Sequence, residues 1–248
     1  MYKKHMRLPL VIFMHIPKTG GLTIRKLMEQ QYRLKEIMLI RSDLDLNQQM
    51  KQADNTQIKA LYGHNRFGIH QHIQKRSFTY ISMLRDPVER VISTYYFILE
   101  RPQNRLHQLA KKVTFEQFVQ EKHPEFHVPV NNHQTRFMSG KKIPDLKLAL
   151  KNMEQFFSVV GVTEKFNESI FLMKKHLGWK NISYQKVNQT NNRPKKSDLD
   201  DSLIQLIESK NQLDLALYSK AKEKLEKMLD ELTAKEKQEL NKYLKKQT

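Results

Sequence analysis

The sequence predicts a three-layer α/β fold: a central, mainly parallel sheet flanked by helices, with a helical extension at the C-terminus. Three observations predict it. Short apolar runs rich in strand formers alternate with stretches of helical periodicity, glycine or proline turns join strand to helix, and three runs end at polar residues capable of chemistry. Strands and helices in alternation close most simply as parallel strands covered on both faces.

Leu10-Val-Ile-Phe-Met-His15 predicts the first strand and Pro17-Lys-Thr-Gly-Gly21 the turn that follows. Leu22, Ile24, Leu27, Met28 and Tyr32 then repeat at helical spacing. Lys59-Ala-Leu-Tyr-Gly-His64 and Phe78-Thr-Tyr-Ile-Ser-Met-Leu84 predict two further strands. After the latter, Asp86 is placed to cap a helix beginning at Pro87, with Glu89 completing an Asp-x-x-Glu capping box. Val88, Val91, Ile92, Tyr95 and Leu99 give that helix its buried face and leave Arg90, Ser93 and Phe97 on other faces. Residues 114–121 read as a short helix, and 123–140, with prolines and paired asparagines, as a long connection of the size that often carries function. Ser158-Val-Val-Gly-Val-Thr163 predicts a fourth strand, and 167–177 a helix stopped by Gly178. Residues 188–197 read as a polar, basic loop and 199–221 as one helix. Leu225, Met228, Leu229 and Leu232 continue the apolar stripe, and Thr233-Ala-Lys-Glu236 forms a capping box for a last helix. The expected division is a catalytic domain over 1–222 and a charged helical extension over 223–248.

A chain of 248 residues is long enough to bury a core of its own. The absence of cysteine excludes a thiolate nucleophile, a thiolate metal site and a disulfide scaffold. With 44 Lys and Arg against 26 Asp and Glu, the net charge of +18 attracts anions without naming which. Nucleic acid, an anionic membrane surface, an acidic polysaccharide and a phosphorylated nucleotide all fit. No apolar stretch has the length of a membrane span, and the run near residues 8–16 is broken by Pro9 and His15. The expected location is a bacterial-like cytoplasm, with the Golgi lumen as the alternative for a chain that has lost an anchor. His64, His70 and His72, like His123, His127 and His133, match no standard metal-ligand spacing, and Pro124 breaks the helix that His123 and His127 would share. No metal is expected.

Two motifs carry chemistry. In His15-Ile-Pro-Lys-Thr-Gly-Gly-Leu-Thr23 the glycines bring backbone amides close to an anion, the helix start adds partial positive charge, and Lys18, Thr19 and Thr23 add donors. A phosphate-type group is the natural guest; a purely structural turn with a surface lysine is the alternative, and the Walker A order is missing. In Ser82-Met-Leu-Arg-Asp-Pro-Val-Glu-Arg-Val-Ile-Ser-Thr-Tyr-Tyr-Phe97, Arg85 offers a planar charged fork at a strand end and Ser93 a hydroxyl two turns into the helix. Here the alternative is Arg85 paired with a nearby carboxylate and Ser93 facing solvent.

Together the two motifs resemble the donor-site signature of Golgi-type carbohydrate sulfotransferases, closest to the uronyl and heparan sulfate 2-O-sulfotransferase branch and its bacterial relatives. The resemblance implies a P-loop-like fold and a donor, 3′-phosphoadenosine 5′-phosphosulfate, that leaves as adenosine 3′,5′-bisphosphate. It implies that Lys18, Thr19, Gly20, Gly21, Leu22 and Thr23 cradle the 5′-phosphosulfate and that Arg85 and Ser93 hold the 3′-phosphate. Tyr62-Gly-His-Asn-Arg-Phe67 resembles the family's Gly-His segment, which makes His64 the expected base. Asn131-Asn-His-Gln-Thr-Arg-Phe-Met-Ser-Gly140 resembles its Asn-x-Gln-Thr-Arg segment, and Val160-Gly-Val-Thr-Glu164 is similar too. Asn188-Gln-Thr-Asn-Asn-Arg193 stands where relatives close a basic loop over the donor, which adds Thr190 and Arg193, a solvated linker being the alternative. The resemblance runs from about Leu10 to Ala221.

By analogy with phosphoryl transfer, such chemistry needs in-line positioning and charge stabilisation at the leaving oxygen, the task expected of Lys18. A neutral histidine, His64, is expected to take the proton of the attacking hydroxyl. No metal is needed for a leaving group that is already a stable phosphate. Arg66, His70, Arg136 and Lys141 are the expected residues for an anionic carbohydrate acceptor. Two other readings stand beside this one: a P-loop-type kinase using Mg-ATP, and a basic nucleic-acid-binding protein. The latter lacks a reading helix, a zinc module and an RNA-binding signature, so no nucleic-acid partner is expected.

Overall fold

The computed structural model describes residues 9–41, 45–53, 57–73, 76–184 and 193–247. Its sheet has five parallel strands: β1 Leu10–Met14, β2 Ile37–Leu39, β3 Ala60–Gly63, β4 Phe78–Leu84 and β5 Phe157–Val162. Their order is β2-β3-β1-β4-β5, and Met14 lies opposite Gly63 on one side and Ser82 on the other. The four strands expected from sequence are all present; the three-residue edge strand β2 is additional.

Every residue of β1 is buried, as a central parallel strand covered on both faces requires. Successive side chains point to opposite faces. Leu10, Ile12 and Met14 therefore enter one core with Met138, Ala149 and Met153, while Val11 and Phe13 enter another with Ile24, Leu27, Ile170 and Leu172. Each such aliphatic side chain removed from water stabilises the fold by about 1.5–3 kcal/mol before entropy is counted.

The helices are α1 Gly21–Gln31, α2 Leu46–Ala53, α3 Pro87–Leu99, α4 His107–Ala110, α5 Phe115–Val119, α6 His127–Val130, α7 His133–Ser139, α8 Leu146–Phe156, α9 Phe166–Leu177, α10 Asp201–Lys210, α11 Gln212–Asp230 and α12 Ala234–Lys245. On one face of the sheet lie α1 and α9; α7 and α8 cover the other, and the long α11 supplies Leu217 and Ala221 to this core and Leu225 to the first. A third core joins Val88, Val91, Ile92 and Tyr95 of α3 to Phe118, Phe126 and Ile207. Residue 222 falls inside α11.

Three local expectations change. The stretch 123–140 is no extended connection: it folds into a short 3₁₀ turn, α6 and α7, with Phe126, Val130 and residues 134–139 buried. The helical stretch 199–221 is broken at Asn211, whose side-chain amide donates to the carbonyls of Val130 and Ile207. Arg90 lies inside the protein, 4.0 Å from the equally buried Asp214.

Candidate active site

The chain leaves β1 for one side of the sheet, returns, and then builds the other side, so the carboxyl end of β1 is the topological switch point. Crevices at such points are where open α/β sheets bind ligands. Three neighbouring strands deliver residues there: His15 follows β1, His64 follows β3 and Arg85 follows β4.

After His15 the chain turns through Lys18 and Gly20, both in the left-handed region at φ 69° and 79°. Thr19 is buried and donates its hydroxyl to the Ile16 carbonyl at 2.8 Å, which pins the turn. A Cβ on Gly21 would overlap the His15 imidazole, at 1.9 Å from Nε2, so glycine is required for the ring to lie against the helix start. Leu22 is partly exposed and Thr23 buried in the first turn of α1, which carries no acidic residue to offset its partial positive charge.

Lys18 places its ammonium 3.9 Å from the centre of the Phe97 ring. Among the described residues no carboxylate lies within salt-bridge distance of it. Burial, followed by the charge of Arg85, lowers its pKa to about 8, with Arg101 and Arg193 adding to the effect and Glu100 opposing it. The turn thus sits within a concentration of positive charge that an anion would relieve.

Arg85 pairs with a local carboxylate, the plainer of its two sequence readings: its Nη2 donates to Glu89 Oε2 at 2.9 Å. Arg193 Nη1 donates to the same oxygen at 2.9 Å, and the Lys196 amide to Oε1 at 2.7 Å. Burial opposes the charge on Glu89, but the Lys196 amide and the two arginines outweigh it and hold the carboxyl below its ordinary pKa. Only half of the expected capping box therefore forms. The Glu89 amide bonds Asp86 Oδ1 at 3.0 Å, while the Glu89 side chain turns to the arginines. Ser93 is buried rather than facing solvent.

His64 Nδ1 lies 3.0 Å from the His15 carbonyl oxygen. That oxygen only accepts, so Nδ1 carries the proton and Nε2 holds a free lone pair. The centres of the two imidazoles are 4.3 Å apart, and His15 also stacks on Phe13. Burial lowers the pKa of His64, with the His15 carbonyl opposing; burial, then His64 and Lys18, lower that of His15 to about 3. Both rings are neutral at neutral pH.

The residues expected to meet an acceptor are gathered less completely. Phe67 donates its amide to the Phe137 carbonyl at 2.9 Å, tying the segment after β3 to α7 and bringing Arg66 near Arg136. Burial first, then the Arg66 charge, lowers the Arg136 pKa; its guanidinium bonds the Lys142 carbonyl while the buried Nε has no hydrogen-bond partner among the described residues. Lys141 is exposed just beyond α7. His70 is apart from these cations: it packs against Phe67, Phe78 and Phe156 and contacts the Tyr80 hydroxyl at 3.0 Å. Thr190 lies outside the described residues. His15, Glu89 and Phe97 were not foreseen as site residues, although His15 ends a strand just as His64 does. Among the described residues no group of three or more His, Asp or Glu is placed to hold a metal, and no helix is long and apolar enough to cross a membrane.

Fold and geometry define an α/β protein with a charged turn at the switch point of a parallel sheet. The model of the Sulfotransferase family matches residues 9–221, and the chain belongs to that family. Among solved structures it is similar to mouse sulfotransferase SULT7A1 complexed with PAP, at 12% identity and a TM-score of 0.40. The alignment covers 82% of this chain and 63% of that one, so the chain spans less than two thirds of that relative's length. No curated protein sequence matches it.

Proposed function

We propose that the protein moves the sulfuryl group of 3′-phosphoadenosine 5′-phosphosulfate to a hydroxyl of an acidic carbohydrate, as a relative of the uronyl 2-O-sulfotransferases. The observation that carries this reading is the placement of Lys18 and Arg85 after adjacent strands, where Arg193 and Arg101 add charge and Glu89 and Glu100 only partly offset it. The donor set suits a nucleotide bearing anions at two positions. The glycine turn and Lys18 hold the 5′ end, Arg85 and Ser93 hold the 3′-phosphate, and Arg193 adds charge to the donor site, to which Thr190, outside the described residues, is also assigned.

The donor supplies an activated sulfuryl group. His64 Nε2 takes the acceptor's proton as the hydroxyl oxygen bonds to sulfur. The bond between sulfur and the bridging oxygen breaks, and Lys18 with the amides of the turn receives the charge left on the 5′-phosphate. No metal enters this scheme. Arg66, Arg136 and Lys141 attract the acceptor's anionic groups, with His70 supporting the segment between them through its aromatic packing.

Sulfur-labelled donor offered with a uronic-acid polysaccharide, a neutral polysaccharide and no acceptor tests the proposal. Label is expected on the acidic polymer without added Mg²⁺. Failure to label any carbohydrate, together with Mg-dependent phosphate transfer from ATP, would replace this reading with the kinase.

A further inference from the structure

Arg85 stands at the corner between β4 and α3, where neither element's regular hydrogen bonds govern its direction. Its own peptide groups are taken up by one side chain. The Arg85 amide donates to Gln134 Oε1 at 2.9 Å, and Gln134 Nε2 donates back to the Arg85 carbonyl at 2.8 Å. Gln134 is fully buried, so this pair of bonds acts as a one-residue extension of the sheet made by an amide.

Gln134 is itself held from a distance. The amides of Gln134 and Thr135, at the open start of α7, donate to Asp214 Oδ2 and Oδ1 at 3.0 and 2.7 Å. Asp214 belongs to α11 and is fully buried. Asn132, at the N-cap of α7, returns the contact by accepting the amides of Leu213 and Asp214 at 2.9 and 3.1 Å. The charge of Asp214 faces the Arg90 guanidinium of α3, whose Nη2 donates to the Pro129 carbonyl and whose Nε, 4.0 Å from Asp214 Oδ2, has no hydrogen-bond partner among the described residues. A buried ionic network with an unfilled donor is a poor way to gain stability, since well-packed apolar residues often serve as well. Its geometric result is a continuous hydrogen-bonded path from α11 through α7 to the backbone of Arg85.

We infer that Gln134 and Asp214 are positioning residues for 3′-phosphate recognition: Asp214 fixes the start of α7, and Gln134 fixes the peptide of Arg85 so that its fork faces the donor. This rests on the donor reading above. Neither residue touches the nucleotide; each acts through Arg85, whose side chain Glu89 steadies from the other side.

The test is a double-mutant cycle of Gln134→Met and Arg85→Ala, with calorimetric affinities for adenosine 3′,5′-bisphosphate and adenosine 5′-monophosphate. In the wild-type background Gln134→Met is expected to weaken bisphosphate binding about tenfold and monophosphate binding less than about twofold. In the Arg85→Ala background the bisphosphate loss should disappear. Equal losses in both backgrounds, or equal losses for both nucleotides, overturn the inference and leave Gln134 a packing residue. If Arg85→Ala leaves bisphosphate affinity intact, the donor reading itself falls and takes the inference with it. Should Gln134→Met not fold, amide exchange on the wild-type protein decides. Exchange of the Arg85 amide should slow with the bisphosphate and not with the monophosphate, and equal slowing by both overturns the inference.

Discussion

Lys18 and Arg85 stand just after adjacent strands and feed directly into α1 and α3, whereas Arg66 and Lys141 lie on irregular backbone and Arg136 within the short α7. The first pair is held tightly: Lys18 by a left-handed turn and the Phe97 ring, Arg85 by Glu89 and Gln134. In the second group Arg136 shares the anchored α7, while Arg66 and Lys141 are tied in by a few local bonds: the Phe67 amide to the Phe137 carbonyl, Asn65 to the Ile40 carbonyl, the Lys141 amide to Ser139 Oγ and the Arg136 guanidinium to the Lys142 carbonyl. Strand ends feeding helices give a rigid frame suited to one invariant ligand; loops joined by a few bonds suit a variable one.

That contrast can be broken first at His64, the proposed base. His64→Ala is expected to lower kcat about 10²- to 10⁴-fold, the usual share of a general base, while bisphosphate affinity stays near wild type. A parallel loss of nucleotide binding would mean that His64 belongs to the rigid half and not to the chemistry. Next in size is Lys18→Ala, expected to lower kcat about 10²- to 10³-fold, as removal of a charge-stabilising donor does. An effect on KM for the donor alone would reduce Lys18 to an anchor.

A pH profile sharpens the comparison within the site. As the proposed base His64 has to be neutral, and its pKa is lowered from 6.5, so kcat/KM should fall only as pH drops below 6.5. In its proposed role Lys18 has to be protonated, so kcat/KM should fall again as pH rises through about 8. Loss of activity already at pH 7 on the acid side would remove His64 as the base. The smallest effect is expected on the looser side: Arg66→Ala should raise KM for an acidic acceptor about tenfold and leave a neutral acceptor nearly unchanged. Equal changes for both acceptors would argue against charge recognition there.

What the sequence disclosed follows the same division. β1, β4, α1 and α3 were readable because their signals are local: an apolar run, a glycine or Asp-Pro corner, then a helical stripe. α7 was not, because its first-turn amides are capped by Asp214, 80 and 79 positions away, while Pro124 and Pro129 nearby suggest a loop. The break at Asn211 was hidden in the same way, since helical periodicity continues on both sides and the bond that uses its amide reaches Val130. Glu89 looked like half of a capping box; Arg193 and the Lys196 amide, 104 and 107 residues on, join Arg85 in drawing its carboxylate away. Three residues with no turn signal of their own made β2 invisible.

Calorimetric titration with adenosine 3′,5′-bisphosphate, without Mg²⁺ and beside ATP, tests the central claim most directly when run on the wild type and on Arg85→Ala. The account predicts bisphosphate binding that is tighter than that of ATP and at least about a hundredfold weaker in the variant, the scale of a lost charge-assisted fork. Absence of bisphosphate binding, or a preference for Mg-ATP that Arg85→Ala leaves unchanged, would contradict it.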